Sequence, residues 1–449
     1  MASDSVDEVN VCVSTADTSR LMKKEATLRE WVVNNQIGIP VTILAMIFAL
    51  HSLYPSLRPY TTPFLQLPHF QPERGAYVQG WDDIYFIISS ILGFTAVRAF
   101  AIDWVFQPIA RSRGLKRKNA IRFAEQAWLL VYDSTFWTYG MYLWYNSNYW
   151  LDFRAIWQDW PSRDISGPFK CYCLLQLSFW FQQIFVINIE ARRKDHYQML
   201  THHIITSTLL GSAYIYGFYN VANVVLCLMD IVDFLLPGAK MLKYMGYEFA
   251  STVAFGVFLA VWFVARHVLY MSLWWSIYKN VPDVMPFGCY SGITGEMITT
   301  DGAPDNWSHL LYPFWDINGP ICMSPRIKWT FLSFLLMIQT LSLIWFGMIL
   351  RIAVNVLRSG VAEDTRSDDE DERVPENGTK VQNGDGFANG VTESSEAEHG
   401  WQRMVVSTGT DLNHPPVRIR TPRGRVTLSD QNERKALLGR IGCDKPASA

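Results

Sequence analysis

Residues Arg192 to Lys240 read RRKDHYQMLTHHIITSTLLGSAYIYGFYNVANVVLCLMDIVDFLLPGAK. A basic cluster opens the stretch, and two apolar segments follow back to back, His196 to Phe218 and Val221 to Ala239. Each approaches the roughly 20 residues that a helix rising 1.5 Å per residue needs to cross about 30 Å of hydrocarbon. Joined by only a few residues, the two must be antiparallel neighbours. Within them sit two adjacent histidines, His202 and His203, and two aspartates, Asp230 and Asp233. Ionisable groups at membrane depth are costly and mark functional sites by default.

Working outward, comparable apolar stretches run from Ile37 to Leu57, Ile84 to Ile109, Ala120 to Tyr145, Phe169 to Ile189, Phe249 to Tyr278 and Trp329 to Val354. The expected fold class is all-α, a polytopic membrane helical bundle of about eight transmembrane helices. Of 449 residues, 49% are hydrophobic. The mean hydropathy is nevertheless only slightly positive, because everything after Arg358 is polar. Three regions follow: a cytosolic tail at 1–33, a transmembrane region at 34–356, and an acidic and polar cytosolic tail at 357–449. The tails are expected to be disordered, since so few large apolar residues cannot offset the entropy of ordering. The first 30 residues are polar and the first apolar run is long enough to span, so it reads as a signal anchor rather than a cleaved leader. The seven cysteines form no CxxC pair, which suggests neither a zinc site nor a dithiol redox motif.

Positive charge in short loops orients the spans. It gathers before the first span (Arg20, Lys23, Lys24, Arg29), after the second (Arg111, Arg113, Lys116 to Lys118), after the fourth (Arg192, Arg193, Lys194) and after the sixth (Lys240, Lys243). The intervening loops are poorer in it, so both termini are expected in the cytosol. The loop from Lys279 to Lys328 then faces a lumen, where its sequon at Asn306 is a candidate glycosylation site and Cys289 and Cys322 a candidate disulfide. Taken singly, each feature reads more plainly as a chance sequon or as cysteines that need not pair. In the tail, Ser367 precedes an acidic run and is a candidate phosphorylation site; a solvated acidic segment is the plainer reading.

His202 lies seven residues beyond Asp195, roughly 10 Å below the cytosolic edge on helical rise. Asp233 lies seven residues before Lys240 on a helix returning to that edge, so the two share a depth. Asp230 and Asp233 occupy one helix face, whereas His202 and His203 diverge by about 100°. A histidine beside a carboxylate is the usual arrangement of a base or nucleophile. Interhelical hydrogen bonding is the structural alternative. A single metal held by His202, Asp230 and Asp233 also stays open, whereas nine histidines with one cluster are too few for a di-iron centre. Arg98, Asp103, Asp133, Glu190, Arg266 and His267 are further polar residues in apolar runs, and Arg266 is expected to snorkel toward the lumenal side.

The ARRKDH motif, the pair His202 and His203, the Asp230-x-x-Asp233 element and Lys240 make the chain resemble the ceramide synthase (longevity-assurance) family of TLC-domain proteins, and within it the fungal branch. The resemblance extends over about residues 30 to 355, with a TLC core at about 118–355. It implies a multi-pass endoplasmic reticulum membrane enzyme, an acyl-CoA-dependent sphingosine N-acyltransferase acting on sphinganine or phytosphingosine. His202, His203, Asp230 and Asp233 become the catalytic residues, one histidine serving as base or nucleophile. Arg192, Arg193 and Lys194 become candidate ligands of the CoA phosphates, although loop charge bias alone accounts for them. No cofactor or metal is expected, acyl-CoA being a cosubstrate; partners are the sphingoid base, the bilayer, and a small accessory membrane subunit or a homo- or hetero-dimer. The alternatives are a non-catalytic TLC-domain lipid-binding, transport or translocation-associated protein, and another acyl-CoA-dependent membrane acyltransferase. Acyl-chain length, the choice of base and the division of labour between the histidines are not legible.

Overall fold

The structure, a computed structural model, describes residues 30–158, 160–189, 195–299 and 307–359. Arg192, Arg193, Lys194, Asn306, Ser367 and most of the two tails lie outside the described residues.

In chain order the elements are α1 (Gly38–Leu53), a 3-10 turn (Pro55–Leu57), α2 (Arg58–Leu65), β1 (Phe70–Gln71), β2 (Ala76–Tyr77), α3 (Asp83–Phe100), α4 (Gln107–Ser112) and α5 (Arg117–Tyr145). There follow α6 (Gly167–Ile189), α7 (His196–Tyr216), α8 (Tyr219–Tyr244), α9 (Glu248–Trp262), α10 (Tyr270–Val284), β3 (Gly288–Tyr290), β4 (Met297–Thr299), α11 (Ser308–Trp315), β5 (Ile321–Met323) and α12 (Pro325–Ser359). π-helical turns at Ala101–Phe106 and Phe263–Leu269 carry α3 into α4 and α9 into α10 without a break.

The joint read from the sequence as an antiparallel turn is a two-residue link between α7 and α8. Gly217 holds φ at +75°, its N–H bonds to the Tyr214 carbonyl at 3.2 Å, and the Phe218 N–H reaches the Ala213 carbonyl at 2.8 Å. This pairing satisfies the last carbonyls of α7, and the left-handed backbone favours glycine. Helix α8 then runs against α5, where the Trp137 indole donates to the Cys227 carbonyl at 3.1 Å and Asn223 to the Gly140 carbonyl at 3.2 Å. A Cβ on Gly140 would lie 2.5 Å from the Tyr172 hydroxyl oxygen, so α5 and α6 meet there because position 140 has no side chain. Helix α10 is pinned to α12 by Tyr270, whose hydroxyl donates to the Leu335 carbonyl at 2.9 Å.

At one end of the bundle the loops form a cap. Strand β3 lies between β4 and β5, and a Cys289–Cys322 disulfide joins the facing strands β3 and β5. Arg163, in the α5–α6 loop, donates to the carbonyls of Gly292 at 2.5 Å and Ile317 at 2.6 Å and to Gln79 Oε1 at 2.5 Å. Beside it Lys170 is wholly buried, 2.6 Å from Asp83 and bonded to the carbonyls of Pro68 and Val78; Asp83 also accepts from the Tyr214 hydroxyl at 2.8 Å. Every charge in that pair thus meets a partner, as burial requires.

Among the described residues, eight long helical runs build the bundle, but apolar length supports fewer spans. Five runs are long and apolar enough to cross a membrane: Asp83–Ser112, Gly167–Ile189, Tyr219–Tyr244, Glu248–Val284 and Pro325–Asn355. The expected first span is corrected to a broken one, Gly38–Leu53 followed by Pro55–Leu65 at 114°, which raises the count to six. Helix α5 falls short because, beyond the charges of its first turns, Asp133 and the many tyrosines, tryptophans, serines and threonines between Trp128 and Tyr145 dilute its aliphatic residues. Helix α7 falls short because His196, His203 and Ser207 replace apolar residues on its buried side. The all-α expectation holds for the bundle, with the short strands confined to its loops.

Candidate active site

Turns three and four residues apart align on one helix face, and both helices of the quoted stretch use this to line a common cavity. From α7 come His202, Thr206, Leu209, Leu210 and Ala213; from α8 come Asp233, Asp230, Met229, Leu226, Val225, Ala222 and Val221. Along α7 the lining extends for about 16 Å on helical rise. Helices α10 and α12 close the other side through Ile277, Val281, Phe331, Leu335 and Ile338. The result is a largely apolar channel with His202, Asp230, Asp233 and Arg266 gathered at one end and Lys328 among its lining near the other. His202 and Asp233, expected to share a depth, both line this cavity.

The polar end contains a residue that the sequence reading misplaced. Arg266 does not snorkel toward the lumenal side. It lines the cavity, donating to Asp233 Oδ1 at 2.8 Å and to the Met229 carbonyl at 2.9 Å, with its guanidinium 4.2 Å from the centre of the Trp262 indole. The run Glu248–Val284 has 37 residues, far more than a bilayer needs, so a count of seventeen from Phe249 ends mid-bundle. Arg266 also falls inside the π-helical turn, a distortion that recurs at functional sites. Its Nε is buried and has no partner.

The second aspartate is held differently. Asp230 accepts from Gln176 Nε2 at 2.9 Å, and Gln176 Oε1 accepts from the Tyr132 hydroxyl at 3.2 Å. Asp133 lies within electrostatic range of both Asp230 and Asp233. Among the described residues neither aspartate bonds to either histidine. The expectation that the carboxylates orient an imidazole is therefore corrected: Gln176 and Arg266 occupy them.

The two histidines face different surroundings. His202 lines the cavity, whereas His203 does not and is 6% exposed. Trp180 makes edge contacts with both, 5.6 Å from the His202 ring centre and 5.1 Å from that of His203, and Trp345 makes an edge contact with His202 at 5.1 Å. Each Nδ1 is buried without a hydrogen-bond partner. Buried polar atoms are bonded in the great majority of native sites, so an unpaired imidazole nitrogen beside a cavity calls for a chemical explanation. Among the described residues no group of three histidine, cysteine, aspartate or glutamate side chains is arranged to hold a metal ion.

Residues 122–351 match the sequence profile of the TLC domain, which groups the TRAM, LAG1 and CLN8 proteins. The chain belongs to the TLC-domain family of membrane proteins. A sphingosine N-acyltransferase-like protein of Alternaria alternata is 44% identical over 79% of this chain and 80% of its own length. A ceramide synthase of Gibberella moniliformis is 37% identical over 83% of this chain and 87% of its own length. A sphingosine N-acyltransferase of Schizosaccharomyces pombe is likewise 37% identical, over 79% and 84%.

Proposed function

We propose that this chain is a ceramide synthase, moving a fatty acyl group from acyl-CoA to the amine of a sphingoid base and releasing CoA. One observation carries the reading: a chain similar to sphingosine N-acyltransferases over most of its length places His202, Asp230, Asp233 and Arg266 together at the head of an apolar channel. The channel suits an acyl chain, and the polar head suits the thioester and the amine.

A sphingoid base is largely an ammonium at neutral pH and cannot attack a thioester until it loses a proton. In one route His202 takes that proton, the amine nitrogen bonds to the acyl carbon, the carbon–sulfur bond breaks, the second proton shed by the nitrogen passes to the departing CoA thiolate, and His202 returns its own proton to solvent. In the other, His202 attacks the thioester itself, CoA departs, and the amine displaces the imidazole from an acyl-imidazole. His203 acts as its partner in proton transfer. Asp230 and Asp233 hold the ammonium or hydroxyl of the long-chain base, and Arg266 supports the charge that develops on the carbonyl oxygen.

The same reading extends to the surroundings. Exposed Arg111, Arg113 and Lys116 to Lys118 belong to the end opposite the disulfide, and with Arg192, Arg193 and Lys194 they are assigned to the CoA phosphates. The membrane is that of the endoplasmic reticulum, with both termini cytosolic and the disulfide-bearing cap lumenal. Asn306 is taken as a glycosylation site and Ser367 as a phosphorylation site. A small accessory subunit or a second copy is a further partner, and no cofactor takes part.

The test is ceramide formation, followed by mass spectrometry, in membranes holding wild type, His202→Ala or His203→Ala and supplied with sphinganine or phytosphingosine. Acyl-CoAs of several lengths are offered, with diacylglycerol as a competing acceptor. Ceramide from wild type and its loss in His202→Ala supports the reading; a mass increase of one acyl group on protein incubated with acyl-CoA alone selects the covalent route. Absence of ceramide from wild type, even with membranes of the native host supplying a missing subunit, returns the chain to a non-catalytic lipid-binding role. Acylation of diacylglycerol instead makes it another acyltransferase.

A further inference from the structure

The apolar channel ends against a partition. Trp157, Phe218 and Val221 line it, and the same three residues line a second cavity on the far side, whose rim carries Asn146, Ser147 and Asn220. Two cavities that share only these residues are separated by them. Phe218 follows the turn that closes α7, and its ring is fixed by stacking on Trp160 at 5.6 Å and by edge contact with Phe331 at 4.8 Å. Val221 sits on the first turn of α8. Trp157 enters from the α5–α6 loop, in the 3-10 turn Ala155–Trp157, and is 4% exposed.

Trp157 is held by a relay rather than by packing alone. Its indole N–H donates to Ser276 Oγ at 3.3 Å, Ser276 donates to the Phe153 carbonyl at 2.8 Å, and Asn280 donates to Ser276 Oγ at 2.9 Å. These bonds tie the loop to α10, the helix that forms the opposite wall of the channel. A large aromatic plate is thereby fixed across the end of the channel remote from His202.

We propose that Trp157, with Phe218 and Val221, is the stop that sets the longest acyl chain this enzyme accepts. The inference rests on the acyl-transfer reading above and deepens it: substrate length is measured from the histidine head of the channel to the indole of a residue contributed by the α5–α6 loop. Shortening Trp157 joins the channel to the second cavity and lets longer chains seat with their thioester still at His202. Because the shift is a gain of product, loss of folded protein cannot imitate it.

The experiment uses full-length protein in membranes, phytosphingosine or sphinganine, and an equimolar mixture of saturated acyl-CoAs from C16 to C26. The product distribution is read by mass spectrometry for wild type, Trp157→Ala, Trp157→Phe and Val221→Ala. Trp150→Ala serves as a control, removing an aromatic from the same loop that packs on Trp144 and Tyr145 and lines neither cavity. Trp157→Ala is expected to raise, at least threefold, the ratio of ceramides longer than the wild-type maximum to those at it. Trp157→Phe and Val221→Ala should do so to a smaller extent, and Trp150→Ala should leave the ratio where it was. An unchanged ratio in active Trp157→Ala overturns the proposal, as does an unchanged ratio in both Trp157→Phe and Val221→Ala should the alanine variant be inactive. A rise of the same size in Trp150→Ala also overturns it, since the effect would then belong to the loop and not to the stop. Wild type that forms no ceramide at all is a failure of the acyl-transfer reading and is distinguishable by that fact.

Discussion

In the proposed acyl transfer His202 and Arg266 have different parts at the head of the channel, and substitution separates them. Arg266→Ala removes the cation beside Asp233 and the donor edge left open at Nε; by analogy with loss of an oxyanion donor, kcat should fall by about 10²–10³. Arg266→Lys keeps the charge without the planar fork and should recover only part of that loss. Acyl-CoA titrations that separate kcat from KM check this, and a kcat within threefold of wild type for both variants would exclude Arg266 from the chemistry. His202, His203, Asp230 and Asp233 were legible because each interrupts an apolar run where ionisable groups are rare. Arg266 interrupts one just as plainly, yet its depth was not legible, since counting residues from a helix start assumes a run of ordinary length. Gln176, Trp180 and Trp345 left no signal, because an amide or an indole among apolar residues reads as packing until its partner on another helix is known. The sequence paired the aspartates with the histidines, their nearest ionisable neighbours on the adjoining segment, when Gln176 and Arg266 in fact hold them.

Single elements carry the site through their ends. The link between α7 and α8 fixes the relative height of His202 and Asp233, and it depends on the left-handed backbone at Gly217. Gly217→Ala should destabilise the fold by about 1–2 kcal/mol, seen as a lower thermal midpoint in detergent, while substrate holds part of the loss back by mass action. An unaltered midpoint with and without acyl-CoA would show that the turn relaxes without cost. Lys170 makes a comparable demand at the start of α6. Replacing it by Met leaves Asp83 buried without its charge partner, a change that costs about 3–5 kcal/mol in buried pairs; Lys170→Met with Asp83→Asn should recover much of it, a comparison made by yield and midpoint of the solubilised protein. The span boundaries of α6, α8 and α12 were readable because apolar length is itself what the bilayer demands. Helix α1 was not, since a bend at Tyr54 depends on how α2 returns against α3. Nor were the π-helical turns, which leave composition unchanged.

At the scale of the whole molecule the two ends of the bundle do different things, and the disulfide belongs to the closed one. The channel head lies toward the end bearing Arg111 to Lys118, whereas β3, β5, Arg163 and the Lys170–Asp83 pair tie the loops together across the other end. Cys289 and Cys322 are 33 residues apart in sequence, and closing a loop of that size restricts the unfolded chain by about 3–4 kcal/mol in the entropic account. The two cysteines were visible in the sequence, but their pairing depends on β3 and β5 lying side by side, which no local pattern announces in strands of three residues. Reduction, or Cys289→Ser with Cys322→Ser, should therefore lower the thermal midpoint markedly while leaving kcat per folded molecule at 25 °C within about twofold. The bond constrains the cap and touches no group at the channel head. Thermal unfolding of purified protein with and without reductant, alongside ceramide formation by the same samples, reads both quantities. A midpoint that does not move would mean the cap is held by Arg163 and the ion pair alone, and a fall in kcat without a fall in stability would mean that the closed end communicates with His202 through the channel wall.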